Sequence, residues 1–163
     1  MFEPKTILNV LQSAPFEFVI IGGIAATLHG STRATFDFDI CMELTPDNVM
    51  ALSHLLAPHH PVHRISSDKR PFSLSPAQAA GWKNLYLSTD IGVIDILGEV
   101  KGLGGFHEVL NYSQWSEFGG ARCRILSIEG LILAKEAISR EKDREVILQL
   151  RQIQEKLKTE KQN

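Results

Sequence analysis

The sequence predicts a mixed α/β domain: a mixed β-sheet backed by helices, followed by a short C-terminal helical extension. Three observations lead there. Strand-like runs rich in β-branched and aromatic residues alternate with helical stretches through the first 56 residues. Two further strand-like runs, Asn84 to Thr89 and Gly92 to Leu97, follow each other with only a turn between them. From Ser127 onward the pattern is helical. The expected division is 1–126 for the sheet-bearing domain and 127–163 for the extension packed on it.

Taken in chain order, Ile7, Leu8, Val10 and Leu11 after Pro4 form a first helix ending near Ser13. Phe16 to Ile21, bounded by Pro15 and Gly22-Gly23, is a buried strand. Ile24 to His29 is a short helix that Gly30 can cap. Phe36 to Leu44 is a second strand. Thr45 and Pro46 then open a helix with Val49, Met50, Leu52, Leu55 and Leu56 as its apolar positions. Pro58 to Pro76, dense in proline, histidine and serine, reads as a binding or moving loop with a weak strand around Val62 to Ile65. Gly98 to Gly105 is expected to be irregular. Ala121 to Leu126 is a strand candidate, Ser127 caps a helix running to Ser139, and a last helix spans about Glu141 to Lys158.

Composition narrows the class. With 44% hydrophobic and 22% charged residues, the chain is neither disordered, collagenous nor a coiled coil. A net charge of -2 argues against a protein that relies on a general positive field to hold nucleic acid. Cys41 and Cys123 cannot build a disulfide framework or complete a zinc site, which suits a reducing cytoplasm. Neither an export segment nor a membrane-spanning run is evident, so a cytoplasmic location without membrane contact is expected.

The chemistry-bearing residues are acidic. Strand alternation puts Asp37 and Asp39 on one face and Phe38, Ile40 and Met42 on the other. Aspartate is a poor strand former, and two carboxylates 4 Å apart repel by about 4 kcal/mol at an effective dielectric of 20. A divalent cation offsets that, because hard cations take carboxylate oxygens and keep positions open for water and phosphate. A solvated edge strand is the alternative. Asp95 shifts the balance, since it interrupts the apolar run Gly92 to Leu97 with Val93 and Leu97 on its own face. If the two strands are neighbours, the three carboxylates can hold two metal ions. Upstream, Gly22-Gly23 lets the backbone approach a ligand closely at a helix start, which favours phosphate.

Gly22-Gly23, then Asp37-Phe38-Asp39-Ile40, with Asp95 on a later strand, resembles the signature of the DNA polymerase β-like nucleotidyltransferase superfamily. Ala26, His29-Gly30, Arg33, Thr35 and Asp37 resemble its small prokaryotic subgroup related to abortive-infection toxins. The tail Leu126 to Ile132, with Lys135, Arg140 and Lys142-Asp143, is similar to that subgroup's C-terminal motif. Gly130 departs from it, standing where an acidic residue is usual. The resemblance covers roughly Val19 to Leu150 and makes 1–126 the catalytic domain.

The resemblance implies a nucleotidyltransferase-like fold and a magnesium-dependent enzyme. Its reaction moves a nucleoside monophosphate from a nucleoside triphosphate to an acceptor hydroxyl and releases pyrophosphate. Asp37, Asp39 and Asp95 would hold Mg²⁺ (or Mn²⁺), Asp95 would also help deprotonate the hydroxyl, and Gly22 and Gly23 would cradle the phosphates. Arg33, Lys135 and Arg140 would bind the nucleotide. The acceptor stays open between tRNA, protein and a small molecule, and a toxin role would bring an antitoxin partner. A non-catalytic nucleotide- or partner-binding module and a metal-dependent phosphohydrolase remain alternatives.

Other residues invite blander readings. Arg33 could instead bond a loop carbonyl, and Lys135 and Arg140 could meet a helix dipole. Asp143 is expected to pair with a neighbouring basic residue. His29 reads as a packed helix-end residue, and His59, His60 and His63 as solvated loop histidines more than metal ligands. Cys41 reads as a small apolar residue. Trp82 and Trp115 read as core or rim packing. The stretch from Glu155 to Asn163 reads as a solvated helix end.

Overall fold

The structure is a computed structural model describing residues 1–162. Its elements in chain order are α1 (Pro4–Gln12), β1 (Val19–Ile21), α2 (Gly22–Leu28), β2 (Asp37–Cys41), α3 (Pro46–Leu56), β3 (Val62–His63), β4 (Asn84–Thr89), β5 (Gly92–Leu97), β6 (Glu99–Val100), β7 (Gly104–Gly105), α4 (Phe106–Asn111), β8 (Ser113–Phe118), β9 (Ala121–Leu126), α5 (Ile128–Ile138) and α6 (Arg144–Gln162). Asn163, the end of the expected extension, lies outside the described residues.

Seven strands form one sheet in the order β3-β4-β5-β2-β1-β9-β8. β1 runs antiparallel to β2 and parallel to β9, and β2 runs parallel to β5, so the sheet is mixed as expected. Alternation divides its faces. Phe38, Ile40, Ile94 and Ile96 point to one face and are fully buried, in a core shared with Ile7, Leu8 and Leu11 of α1 and Val49, Leu52 and Leu56 of α3. Asp37, Asp39 and Asp95 occupy the opposite face. There α2 and α5 pack, and α5 adds Leu131 and Ile132 to the core.

Helix starts follow the caps. Thr45 Oγ1 accepts from the Asn48 N–H at 3.2 Å and Ser127 Oγ from the Gly130 N–H at 3.1 Å. Gly130 is a packing residue, since a Cβ there would lie 2.9 Å from Leu126 and 3.0 Å from Tyr112. α6 is tied to the sheet domain: Gln149 Oε1 accepts from Ser31 Oγ at 2.9 Å, and Val146 and Leu150 are buried in the common core.

Several expectations need correction. The second strand is shorter than Phe36 to Leu44, because Phe36 is outside it and 72% exposed while Glu43 and Leu44 lead into the α3 cap. The second helix begins at the glycine pair itself rather than at Ile24. Gly98 to Gly105 contains the β6–β7 ribbon rather than being irregular. Helix α4 and strand β8 have no counterpart in the sequence reading. Trp115, read as core or rim, is at the rim: it lies on the edge strand β8, 49% exposed, with the Arg122 and Arg124 guanidinium carbons 4.4 and 4.3 Å from its ring centre. Among the described residues no helix is long and apolar enough to cross a membrane.

Candidate active site

The site begins with register. β2 and β5 pair so that Asp39 lies beside Asp95, and β1 places Ile21, the residue before the glycine pair, beside Asp39. Asp37 sits one alternation earlier on the same face. A carboxylate oxygen from each of the three lies within 4.8 Å of the others, the only such cluster of three or more metal-ligating side chains among the described residues. The hypothetical neighbouring strands of the sequence reading are real neighbours, and the three aspartates meet.

Their electrostatics are unbalanced. Burial, then the Asp95 and Asp37 charges, push the Asp39 carboxyl up to about 7, with Lys135 and Arg64 pulling the other way. Burial also raises Asp95, against a hydrogen bond from Arg64. Three hard oxygen donors in this arrangement, one of them reluctant to ionise without a cation, fit a divalent Mg²⁺ or Mn²⁺ ion. The donor chemistry and the charge agree.

The glycine pair closes against Asp39 and Thr35. Gly22 has φ +65°, and a Cβ there would stand 2.2 Å from Asp39 Oδ2. At Gly23 a Cβ would stand 2.5 Å from Thr35 Oγ1. The missing side chains therefore let the first turn of α2 lie directly against the Asp39 carboxylate and the Thr35 hydroxyl. A polar cavity of about 360 Å³ opens here, lined by Gly22, Gly23 and the three aspartates together with the cations Arg33, Lys135, Arg140 and Lys142. Every residue singled out for catalysis or nucleotide binding lines this one cavity.

The cations are held in place. Asp143, 5% exposed, accepts from Arg140 Nε at 2.7 Å and from Lys135 Nζ at 3.4 Å. Burial alone would raise the Asp143 carboxyl, but the Arg140 hydrogen bond and the Lys135 charge hold it below the usual carboxylate range. Asp143 thus orients two cations and faces them into the cavity, in the pairing expected for it. Arg33 makes the loop-carbonyl bond that was its blander reading, its guanidinium donating to the Lys142 carbonyl, and it also lines the cavity.

One charged residue was missed. Arg64 Nη2 lies 2.5 Å from Asp95 Oδ1, and its Nε is buried without a partner. The strand candidate at Val62 to Ile65 contained the signal. β3 pairs with β4 and β4 with β5, and the Arg64 N–H donates to the carbonyl of Tyr86, whose register partner is Asp95. The histidines stay apart from the site. His29 Nε2 is 2.9 Å from the Leu126 carbonyl oxygen, His60 Nδ1 is 2.5 Å from Asp90, and His63 stacks on Trp82 at 5.4 Å. Cys41 is fully buried, and that burial pushes its thiol up to about 12, as a small apolar residue would behave.

No protein-family model matches the sequence, and no curated protein is significantly similar to it. Solved structures are similar. A candidate nucleotidyltransferase (TM1012) from Thermotoga maritima superposes with TM-score 0.57 at 17% identity, covering 91% of this chain and 94% of that one. The lincomycin-bound lincosamide antibiotic adenylyltransferase LnuA superposes with TM-score 0.60, also at 17% identity and with the same coverage. At such identity the likeness establishes the fold: a mixed sheet backed by helices, of the nucleotidyltransferase-like kind.

Proposed function

We propose that the protein is a metal-dependent nucleotidyltransferase, moving a nucleoside monophosphate from a triphosphate to an acceptor hydroxyl with release of pyrophosphate. The observation that carries this reading is the convergence of Asp37, Asp39 and Asp95 within 4.8 Å in a cavity that Arg33, Lys135, Arg140 and Lys142 also line. That two neighbours of the same fold are described as a candidate nucleotidyltransferase and an adenylyltransferase supports it.

Each residue has a stated task. Gly22 and Gly23 admit the polyphosphate against the first turn of α2, whose early N–H groups have no partner within the helix. Arg33, Lys135 and Arg140 bind the phosphates, Arg140 and Lys135 being aimed by Asp143. Asp37, Asp39 and Asp95 would hold the divalent ion, which when bound would neutralise their charge and supply Lewis-acid polarisation of phosphate and hydroxyl oxygens. The acceptor oxygen bonds to the α-phosphorus, the bridging bond to pyrophosphate breaks, and the hydroxyl proton passes to the Asp95 carboxylate and then to water. Positioning and charge neutralisation dominate such chemistry. The finer reading as an abortive-infection-type toxin rests on the C-terminal motif and predicts growth arrest on expression, relieved by an antitoxin.

The test is incubation with each α-labelled nucleoside triphosphate, Mg²⁺ and cell extract, comparing wild type with Asp37→Ala. Transfer of label that the substitution abolishes, with the fold intact, is expected. Equal labelling by both proteins removes Asp37 from the mechanism. Release of labelled monophosphate without a labelled acceptor marks a phosphohydrolase, and no turnover of any triphosphate leaves a binding module.

A further inference from the structure

A second cavity, of about 300 Å³, shares the carboxylates with the first. Gly22, Asp39, Asp95, Lys135 and Arg140 belong to both, so two of the three aspartates and two of the cations form a seam between two chambers. Beyond the seam their chemistry diverges. The first continues into Arg33, Lys142 and the loop leading to Asp37. The second continues into hydrocarbon, with Leu97 and Tyr86 from the sheet and Val100 from the ribbon facing Leu131, Ala134 and Ile138 of α5.

Sheet register and helix period explain why this wall is apolar. Leu97 follows Asp95 by two positions and shares its face, and Tyr86 is the register partner of Asp95. Leu131, Ala134 and Ile138 recur at three- and four-residue spacing, so one stripe of α5 faces the sheet across the gap.

We infer that this second cavity is the acceptor site and that the acceptor is a small molecule with an apolar body carrying a hydroxyl group. The inference rests on the nucleotidyl-transfer reading and goes beyond it by choosing among acceptor classes. Displacement at the α-phosphorus needs the attacking and leaving oxygens roughly in line. Arg33 and Lys142 line the first cavity alone, so pyrophosphate leaving toward them puts the attacking hydroxyl in the second chamber, across the shared carboxylates.

The nucleotide has its own place. Phe36, 72% exposed, stands on the rim of the polar cavity, where an aromatic face can carry a base. The second cavity lies at the small end of the volume range of small-molecule pockets, and its lining beyond the seam offers no cations to a phosphodiester chain. A nucleic-acid end would meet apolar walls and leave its phosphates unpaired. A compact alcohol fits the volume and the lining.

The test uses the full chain, 2-phenylethanol as the probe alcohol, and the α,β-methylene analogue of whichever triphosphate wild type binds most tightly with Mg²⁺. Ala134→Phe fills the cavity from the helix side, and Ile138→Trp does so from a half-exposed position that tolerates a larger side chain. Methyl NMR should show the probe perturbing Leu97, Val100 and Leu131. Either substitution should weaken the probe at least tenfold while calorimetry shows nucleotide affinity within twofold of wild type. Nucleotide binding weakened tenfold by both substitutions would make this the base pocket and overturn the inference. Probe shifts confined to residues outside the cavity would also overturn it. Failure of wild type to bind any triphosphate is a different result and sinks the transferase reading itself.

Discussion

Replacing Asp39 by asparagine should stabilise the metal-free protein at alkaline pH while destroying metal binding. Asp39 has two other carboxylates within 4.8 Å, and each such pair repels by about 3.5 kcal/mol at an effective dielectric of 20. Lys135 and Arg64 offset part of this, and the net result is a carboxyl raised from 3.8 to about 7. That difference corresponds to about 4 kcal/mol between the two protonation states. The sign follows from the raised value. The contribution of Asp39 to stability is fully present below pH 4, where folded and unfolded chains both hold the proton. It is lost as pH rises to about 7, so above pH 7 the fold carries a buried, repelled charge.

Asp39→Asn removes that charge. In EDTA at pH 8 its Tm should exceed that of wild type by roughly 5–10 °C, taking about 2–4 °C per kcal/mol for a chain of this size and some loss from an imperfectly bonded amide. At pH 4.5 the difference should fall to about 1 kcal/mol or less. With 10 mM Mg²⁺ at pH 8 the order should reverse, because only wild type gains from binding the ion. Circular dichroism melts in the three conditions read all of this. An Asp39→Asn protein no more stable than wild type in EDTA at pH 8 would refute the claim that the triad is charge-frustrated without a cation.

Gly22→Ala should cut transfer at least a hundredfold, because it forces a Cβ to 2.2 Å from Asp39 Oδ2 at a positive φ; turnover rates compared with a circular dichroism check of folding measure this. Asp143→Asn should cost about 3 kcal/mol at pH 7 by leaving Lys135 and Arg140 without their partner, as urea titration would read. Because the folded carboxyl of Asp143 is depressed, that cost should shrink as pH falls below 4, and the KM for triphosphate should rise more than kcat falls. Arg64→Gln should lower metal-free stability by about 1 kcal/mol, a discounted value for a side chain one-third exposed, yet tighten Mn²⁺ binding because Asp95 loses a competing cation. Thermal melts and paramagnetic titration would check the two opposite effects.

Much of the site could be read from local pattern. Two aspartates at i and i+2 in a strand, a third inside an apolar run, and a glycine pair at a strand end are all short-range signals, and Thr45 and Ser127 marked their helix starts correctly. What stayed hidden depended on pairing between distant segments. The parallel pairing of β2 with β5 joins residues more than fifty positions apart, so the meeting of Asp95 with Asp39 could be conditional only. Arg64 was obscured by a loop rich in proline and serine, because its position depends on the β3–β4–β5 ladder. Strand β8 reads Ser-Gln-Trp-Ser-Glu-Phe, an edge strand with too few apolar residues to stand out. The β6–β7 ribbon lies in a glycine-rich stretch whose composition suggested no order.

Anomalous diffraction from a crystal grown with Mn²⁺ and a non-hydrolysable triphosphate addresses the cation and the phosphates together. Manganese peaks bonded to Asp37, Asp39 and Asp95, with the triphosphate running past Gly22 and Gly23 toward Arg33, are the predicted result. Manganese elsewhere, or a nucleotide bound away from these aspartates, would contradict it.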